Sequence, residues 1–459
     1  MPKDIRGLNE ACGVFGVWGH KDSAEMAYYG LHALQHRGQD GAGMVVKNEN
    51  RLIRHRGPGL ASEAFPKETL DKLAGTAVIG HVRYVMTGTH SEDGYQPRLF
   101  HFEKSSMAIC HNGSLVNAGE LRHDLESDGS IFQTTSDSET LAHLIRKSRH
   151  SFLLDKLKAA LRKIRGSFTF LLLTQKKMIA ARDPHGIRPL VIGKLGDAYM
   201  VASETCAFDA LGATYVRDVA PGEIVIIDND GLRSEFYNTD TSLAVCSMEY
   251  IYFARPDSDI DGVNVHTSRK NAGRILAEES PTPQAEVVVP SPDSGISAAI
   301  GYAEASGTPY EIGLIKNRYA MRTFIAPSQE LREQGVKMKL SAVRAIVEGK
   351  SVVLVEDSIV RGTTSKRIVT LLKEAGAREV HMKVASPILP HSCCYGIDLH
   401  TAQELIAYNN TKDDICRIIG ADSLSYLSEE GLIKAIGIKC GKGSGLCLAC
   451  FNGHYPAGS

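Results

Sequence analysis

The chain has 459 residues, 43% of them hydrophobic, enough to bury about two or three domain cores. Its 52 basic and 53 acidic side chains leave a formal net charge of −1. That balance excludes a global field drawing the chain to nucleic acid or to an anionic membrane, so any phosphate recognition must be local.

In chain order, residues 1–11 form a charged leader with no apolar h-region, and no secretory signal is expected. Cys12 follows, at the head of the strand pattern GVFGVWG. Short apolar strands then recur between Gly, Asn and Asp: GMVV, TAVIGHVRY, SFTFLLL, AYMVAS and GEIVIIDNDG. Two helical patterns interrupt them, AEMAYYGLHALQHRG and SETLAHLIRKSRH. Residues 12–240 thus predict a β-rich layered domain with helices outside. From about residue 285 the rhythm changes. AEVVVPSPDSG, PYEIGLIKN, KSVVLVEDS and EVHMKVASPI are nearly continuous apolar strands with helical stretches between them. This predicts a parallel sheet covered on both faces, with functional groups at its C-terminal strand ends. The polar segment 326–342 carries no apolar stripe and reads as a mobile loop. No apolar run approaches the length of a membrane span, and a cytoplasmic location is expected.

The segment KSVVLVEDSIVRGTTSKRI, 350–368, ends a strand in the adjacent acids Glu356 and Asp357. A small polar loop follows, then a helix. Backbone N–H groups and hydroxyls at a helix start can cradle a phosphate. The acids would repel bare phosphate but suit ribose hydroxyls or a bound Mg²⁺. An ordinary βα turn with a Ser or Thr cap reads the same way. A Walker loop is excluded, because Arg344 stands where its first glycine belongs and Gly349-Lys350-Ser351 precedes the strand.

VVLVEDSIVRGTTS resembles the phosphoribosyl pyrophosphate (PRPP) loop of type I phosphoribosyltransferases. The resemblance implies that Glu356 and Asp357 face ribose and metal, and that Ser358, Arg361, Gly362, Thr363, Thr364 and Ser365 complete the PRPP site. PSPDSG, 290–295, resembles the pyrophosphate-binding turn, with Ser294 contributing to the Mg²⁺ site. KNRY, 316–319, and the polar segment after it resemble the next strand end and the loop that closes over PRPP.

In the front half, a catalytic thiol at Cys12 needs a base. Cleavage before Cys12 would supply one, a new α-amino group with a reference pKa of about 7.7–8.0. Arg83 ends a strand in GHVRY and suits an α-carboxylate. Asn112 and the Gly113 N–H, expected in a loop, suit an oxyanion. Asp137 in TTSDSE suits an α-ammonium. Taken singly, these residues read more readily as an ion pair, a hairpin turn and a helix cap. In this order they resemble the glutaminase domain of N-terminal-nucleophile (Ntn) amidotransferases. LQHRGQD, 34–40, is a further signature, placing Arg37 beside the glutamine pocket by resemblance.

Ten cysteines without a secretory signal argue for metal or catalytic roles over a disulfide scaffold. Cys447 and Cys450 form a C-x-x-C pair, compatible with zinc, iron–sulfur or a redox pair. Cys110, Cys206, Cys416 and Cys440 read as small buried apolar side chains.

The two halves together resemble the amidophosphoribosyltransferase family. The resemblance implies two domains: an Ntn-hydrolase αββα sandwich over 12–240 after a propeptide, 1–11, and a type I phosphoribosyltransferase α/β domain with a cluster-binding segment over 241–459. It implies that Cys12 takes ammonia from glutamine and that ammonia displaces pyrophosphate from PRPP, giving 5-phosphoribosylamine for purine synthesis. It also implies a structural 4Fe-4S cluster on Cys246, Cys393, Cys447 and Cys450, an internal ammonia channel, purine nucleotide inhibition and a homotetramer. Cys394 stands where an aromatic is usual, and is the alternative to Cys393 as ligand. Val85, Met86, Met321 and Glu356 are further departures from the family pattern. Two rivals are another Ntn amidotransferase, sharing only the front half, and a non-catalytic PRPP-binding regulator, which would lack the glutamine pocket.

Overall fold

The computed structural model describes residues 12–49, 51–84, 94–103, 105–317, 340–397, 399, 401–438 and 443–458. The leader 1–11, Val85, Met86, Met321, Cys440 and most of the segment 326–342 lie outside the described residues.

The front half is two antiparallel sheets packed face to face. The first contains β1 (Gly13–Trp18), β2 (Gly41–Lys47), β3 (Leu52–Pro58) and β4 (Ala77–Arg83), with α1 (Ser23–Ala33) between β1 and β2 in the chain. The second contains β5 (Arg98–Phe102) and β6 (Ser105–Leu115), then, after α2 (Asp137–Lys147) and α3 (Leu153–Leu161), β7 (Gly166–Leu173) and β8 (Met178–Arg182). β9 (Val191–Leu195), β10 (Ala198–Ala202) and β11 (Thr214–Asp218) return to the first sheet, and β12 (Glu223–Asp228) and β13 (Gly231–Phe236) to the second. The resulting orders are β11-β9-β10-β1-β4-β2-β3 and β13-β12-β8-β7-β6-β5.

The layering follows from strands that are apolar on both faces. Val14 and Val45 of the first sheet and Ala108, Cys110 and Leu171 of the second share the core between the sheets. Phe15 and Met44 turn outward onto Leu31 of α1, while Ile109 and Phe170 turn onto Leu141 and Leu157 of α2 and α3. Both strand faces are covered, which gives the αββα sandwich expected above.

In the back half, β14 (Val245–Cys246) precedes α4 (Val265–Glu279), β15 (Val287–Pro290), α5 (Ile296–Ser306), β16 (Ser351–Glu356), α6 (Thr363–Glu374) and β17 (Glu379–Val384). β18 (Ser423–Tyr426) and β19 (Leu446–Cys447) follow. A parallel sheet runs β15-β16-β17-β18. Leu276, Ala298 and Tyr302 of α4 and α5 cover one face, and Ile368 and Leu372 of α6 cover the other.

Two strand expectations change. PYEIGLIKN touches this sheet only by one parallel bridge, Tyr310 to Val288, and adds no full strand to it: Leu314–Lys316 pairs antiparallel with Leu340–Ala342, leaving Ile312 and Ile315 more than half exposed. The fourth strand is instead SLSY, whose alternating serines hid it, because an edge strand needs only one apolar face. Within the back half β14 pairs in parallel with β19 near the chain end, Cys246 opposite Cys447, and the Cys246 N–H donates to the Ile187 carbonyl of the front half at 3.0 Å.

Candidate active sites

Cys12 immediately precedes β1, which pairs with β4 so that Gly13 faces Val82. The pairing brings the thiol to the end of β4, where its Sγ lies 4.0 Å from the Tyr84 carbonyl oxygen. Burial pushes the thiol pKa up, only partly offset by a backbone hydrogen bond from Tyr84 and by Arg83 and Arg188. Arg83 is the last residue of β4, as expected. Its Nη1 is buried without a hydrogen-bond partner among the described residues, and its guanidinium lies 5.7 Å from the Tyr95 ring.

Asn112 and Gly113 are not in a loop. They lie inside β6, opposite Thr169 and Phe168 of β7. The strand accommodates them by distortion: Gly113 has φ +133°, and a Cβ there would meet the Ser167 carbonyl oxygen at 2.2 Å. This is why Asn-Gly here is not a hairpin turn. Asn112 is 1% exposed, yet neither its side-chain nitrogen nor its oxygen has a partner among the described residues. A buried amide left unsatisfied costs about 1–3 kcal/mol, so its retention points to a ligand.

Asp137 is not the helix cap either. Ser136 caps α2 by accepting from the Ser138 N–H. Asp137 is freed to accept from the Leu115 N–H at 3.1 Å, with His111 Nδ1 at 3.9 Å. Burial raises its carboxyl pKa to about 6. His81 and His111 sit in the same region, His81 Nε2 being 3.1 Å from the His111 carbonyl oxygen. Burial lowers both imidazoles to about 3, so neither is a competent base at neutral pH.

Arg37 is fully buried, and carboxylates occupy its guanidinium. Its Nε donates to Glu204, and its Nη2 donates to Glu249 Oε2 at 2.5 Å. Glu249 also accepts from Arg188 Nη1 at 3.1 Å. Glu204 further accepts from the Ser258 hydroxyl at 2.7 Å and the Arg255 N–H at 2.9 Å. Burial opposes the Glu204 charge, but Arg37 and His36 outweigh it and hold the carboxyl well below the usual range. The Arg37 stem flanks Gly13, next to Cys12, while its guanidinium joins Glu204 and Glu249. Glu204, Glu249 and Arg188 were not foreseen; their only trace in the sequence is a charge set inside an apolar stretch.

Over 351–374 a strand, a small polar loop and a helix follow in the expected order. β16 ends at Glu356, and Gly362 caps α6 at φ +74°, where a Cβ would meet Ile406 Cδ1 at 2.4 Å. Thr363 and Thr364 are exposed in the first helical turn, Ser365 is buried, and the first-turn N–H groups have no intrahelical acceptor, as at any helix start. Arg361 donates to Glu404 at 2.6 Å. Asp357 Oδ1 accepts from the Ser358 hydroxyl at 2.6 Å. Hydroxyls of the 290–295 turn reach the acids, Ser291 to Glu356 and Ser294 to Asp357. Burial and mutual repulsion raise Glu356 well above the carboxylate range, and burial raises Asp357 too. Glu356 Oε2 is buried without a partner among the described residues.

Cys246, Cys447 and Cys450 are buried, Cys393 partly so, and all four share one electrostatic neighbourhood. Burial pushes Cys246 to about 12 and raises Cys447 and Cys450 as well. The Cys394 sulfur instead contacts the Gly458 carbonyl oxygen at 3.9 Å. Among the described residues, no three His, Cys, Asp or Glu side chains stand in metal-binding geometry as they are. Cys110 and Cys206 are buried, while Cys416 is only partly so. No described helix is long and apolar enough to cross a membrane.

The family model of a glutamine amidotransferase domain matches residues 81–210. The chain is 58% identical over 458 residues to the amidophosphoribosyltransferase of Bacillus subtilis (strain 168), covering 99% of this chain and 96% of that one. It is 52% identical over 455 residues to the amidophosphoribosyltransferase of Staphylococcus aureus (strain MRSA252), covering 98% and 92%. A solved structure described as the allosteric regulatory enzyme of purine biosynthesis superposes with TM-score 0.94 at 58% identity, covering 97% and 96%. The glutamine PRPP amidotransferase of B. subtilis complexed with ADP and GMP superposes with TM-score 0.93 at 57% identity, covering 97% of each chain. Similarity on this scale spans the thiol site and the acid-ended phosphate loop alike, and the chain belongs to the amidophosphoribosyltransferase family.

Proposed function

We infer that the chain makes 5-phosphoribosylamine, glutamate and pyrophosphate from PRPP, glutamine and water, the first committed step of purine synthesis. The observation that carries this reading for the front site is the buried, unpartnered amide of Asn112 on a strand that also supports Asp137. Arg83 grips the glutamine α-carboxylate and Asp137 its α-ammonium. Cys12 attacks the amide carbon while Asn112 and the Gly113 N–H hold the developing oxyanion. Ammonia leaves, and water hydrolyses the thioester. The proton acceptor is the α-amino group of Cys12 itself, since burial leaves His81 and His111 too weakly basic for the task. The reading therefore requires cleavage between Ala11 and Cys12, making 1–11 a propeptide ahead of a glutaminase domain, 12–240, and a phosphoribosyltransferase domain, 241–459.

At the second site, Thr363, Thr364 and Ser365 with the α6 N–H groups hold the 5-phosphate, beside Ser358, Arg361 and Gly362. Glu356 and Asp357 hold the ribose hydroxyls. The donor set of Glu356, Asp357 and Ser294 is all oxygen, and two carboxylates suit Mg²⁺, which takes its other ligands from phosphate and water. When bound, Mg²⁺ neutralises the leaving pyrophosphate. Four thiols in one neighbourhood fit a 4Fe-4S cluster on Cys246, Cys393, Cys447 and Cys450, and the Cys394 contact with Gly458 favours Cys393 as the ligand. The cluster would serve structurally, tying β14 to β19. Purine nucleotides such as those bound by the B. subtilis relative are the expected inhibitors, in a homotetramer that works in the cytoplasm.

Intact mass and N-terminal sequencing of active enzyme, with iron and sulfide assays, test this reading. The mature chain should begin at Cys12 with about four iron per chain. Active protein still starting at Met1, or zinc without iron, would refute it.

The Asp137 pKa of about 6 adds a pH prediction. Only the carboxylate pairs with an α-ammonium, and it is present above that pKa. As pH falls through about 6 the carboxylate is protonated, so the KM for glutamine should rise while ammonia-dependent synthesis keeps its KM for PRPP. A flat glutamine KM between pH 7 and 5 would remove Asp137 from the pocket.

A further inference from the structure

Gly113 lies against the back half of the chain. The peptide after it is fixed by a relay: the Ser114 N–H donates to Ser167 Oγ at 3.3 Å, and Ser167 Oγ donates to the Tyr395 carbonyl at 2.7 Å. Arg188 Nη2 donates to the same carbonyl at 2.8 Å. Tyr395 is anchored at its other end, its hydroxyl donating to the Gly458 carbonyl and accepting from the Ala457 N–H, both at 2.8 Å. The next residue, Gly396, has φ +95°. A Cβ built on it would lie 3.0 Å from the Gly113 carbonyl carbon, 3.2 Å from its oxygen and 3.4 Å from Arg188 Nη2. Backbone meets backbone here, and the Gly113 peptide has no flexible end that can yield.

We propose that Tyr395 and Gly396 are positioning residues for glutamine hydrolysis, forming the back wall that fixes the Gly113 peptide. The inference rests on reading Gly113 as an oxyanion donor. Such a donor works only about 2.7–3.1 Å from the developing charge, so the backbone that aims it must be held firmly; the peptide fixed here is Gly113–Ser114, which shares the Gly113 Cα with the peptide carrying the N–H. The front half supplies Asn112, Gly113 and Ser167. The carbonyl that orients Ser167, and the surface behind Gly113, come from residues more than 220 positions later. The oxyanion site is therefore complete only when residues 395–396 are docked.

The test uses full-length mature enzyme. In Gly396→Ala, the kcat of glutamine hydrolysis should fall about 10–100-fold at unchanged KM for glutamine, because an oxyanion donor acts in the transition state. Ammonia-dependent synthesis should be unchanged. Ser167→Ala removes only a hydroxyl and should show the same pattern at about 3–10-fold. Asn112→Ala is the reference for the oxyanion reading, with an expected kcat loss of about 10²–10³-fold. If Asn112→Ala loses kcat while Gly396→Ala and Ser167→Ala do not, the inference is overturned and the oxyanion reading stands. If Asn112→Ala keeps its kcat, the oxyanion reading itself falls, and the inference with it. A raised KM at constant kcat, an equal loss of ammonia-dependent synthesis, or iron lost in parallel with activity would each overturn the positioning role. Should Gly396→Ala be insoluble, Ser167→Ala decides.

Discussion

Cys12→Ala should abolish glutamine-dependent synthesis, by about 10⁴-fold or more, and leave ammonia-dependent synthesis near the parent rate. The expectation follows from the separation of the two sites. Cys12 joins β1, in the first antiparallel sheet, whereas the phosphate loop follows β16 in the parallel sheet. Removing one sulfur at the head of β1 leaves the β16–α6 turn untouched. Free ammonia can then replace the ammonia that glutamine would have supplied. The measurement is initial rate with glutamine or with ammonium salt, at a pH where some ammonia is unprotonated. Equal loss with both nitrogen sources would mean that the thiol also supports the second site, contrary to this assignment. Cys110→Ala is the matching control. That thiol is fully buried between the sheets, 3.7 Å from the Gly80 carbonyl oxygen, and its loss should lower stability without separating the two activities.

Asp357→Asn should do the reverse. Synthesis from either nitrogen source should fall about 100-fold or more, since a metal-assisted phosphate clamp is worth several kcal/mol. Glutamine hydrolysis measured without PRPP should persist. Asp357 and Glu356 are adjacent buried acids whose pKa values are pushed up, so they resist carrying two negative charges while the site is empty. A divalent cation removes that conflict, and ionisation of the pair should accompany Mg²⁺ binding. The amide keeps the size of the side chain and loses the charge, so the Mg²⁺ concentration for half-maximal rate should rise as well. An Asp357→Asn enzyme with normal Mg²⁺ dependence would take this carboxylate out of the metal site.

The strands whose two faces are both buried, such as SFTFLLL and KSVVLVE, were legible because continuous apolar runs admit few other readings. SLSY was not, since only Leu424 is buried there and two serines mask the period. PYEIGLIKN misled for the opposite reason. Its apolar residues suit a core strand, but Ile312 and Ile315 face outward. At the sites, Cys12, Arg83 and the 356–365 loop stood out because their chemistry is local in sequence. Asn112-Gly113 was recognised by residue type but placed in the wrong element. A Gly at positive φ inside a strand has the same two-residue signature as a hairpin turn.

The sequence by itself determined which groups are available: a thiol after a charged leader, oxygen donors ahead of a helix start, and seven cysteines spread from 246 to 450. It also determined the two layer types, because strand burial is written in local hydrophobic patterns. Only the tertiary structure decided which of these groups meet. The buried chain Arg37–Glu249–Arg188 and the Ser167–Tyr395 relay join residues 61 to 228 positions apart. No local pattern encodes such contacts. A charge or hydroxyl in an apolar stretch is tolerable only if a distant partner satisfies it, and that partner is fixed by how the sheets and the 245–258 connection pack. The docking of Gly396 on Gly113 belongs to the same class, set by chain path and by the absence of two side chains.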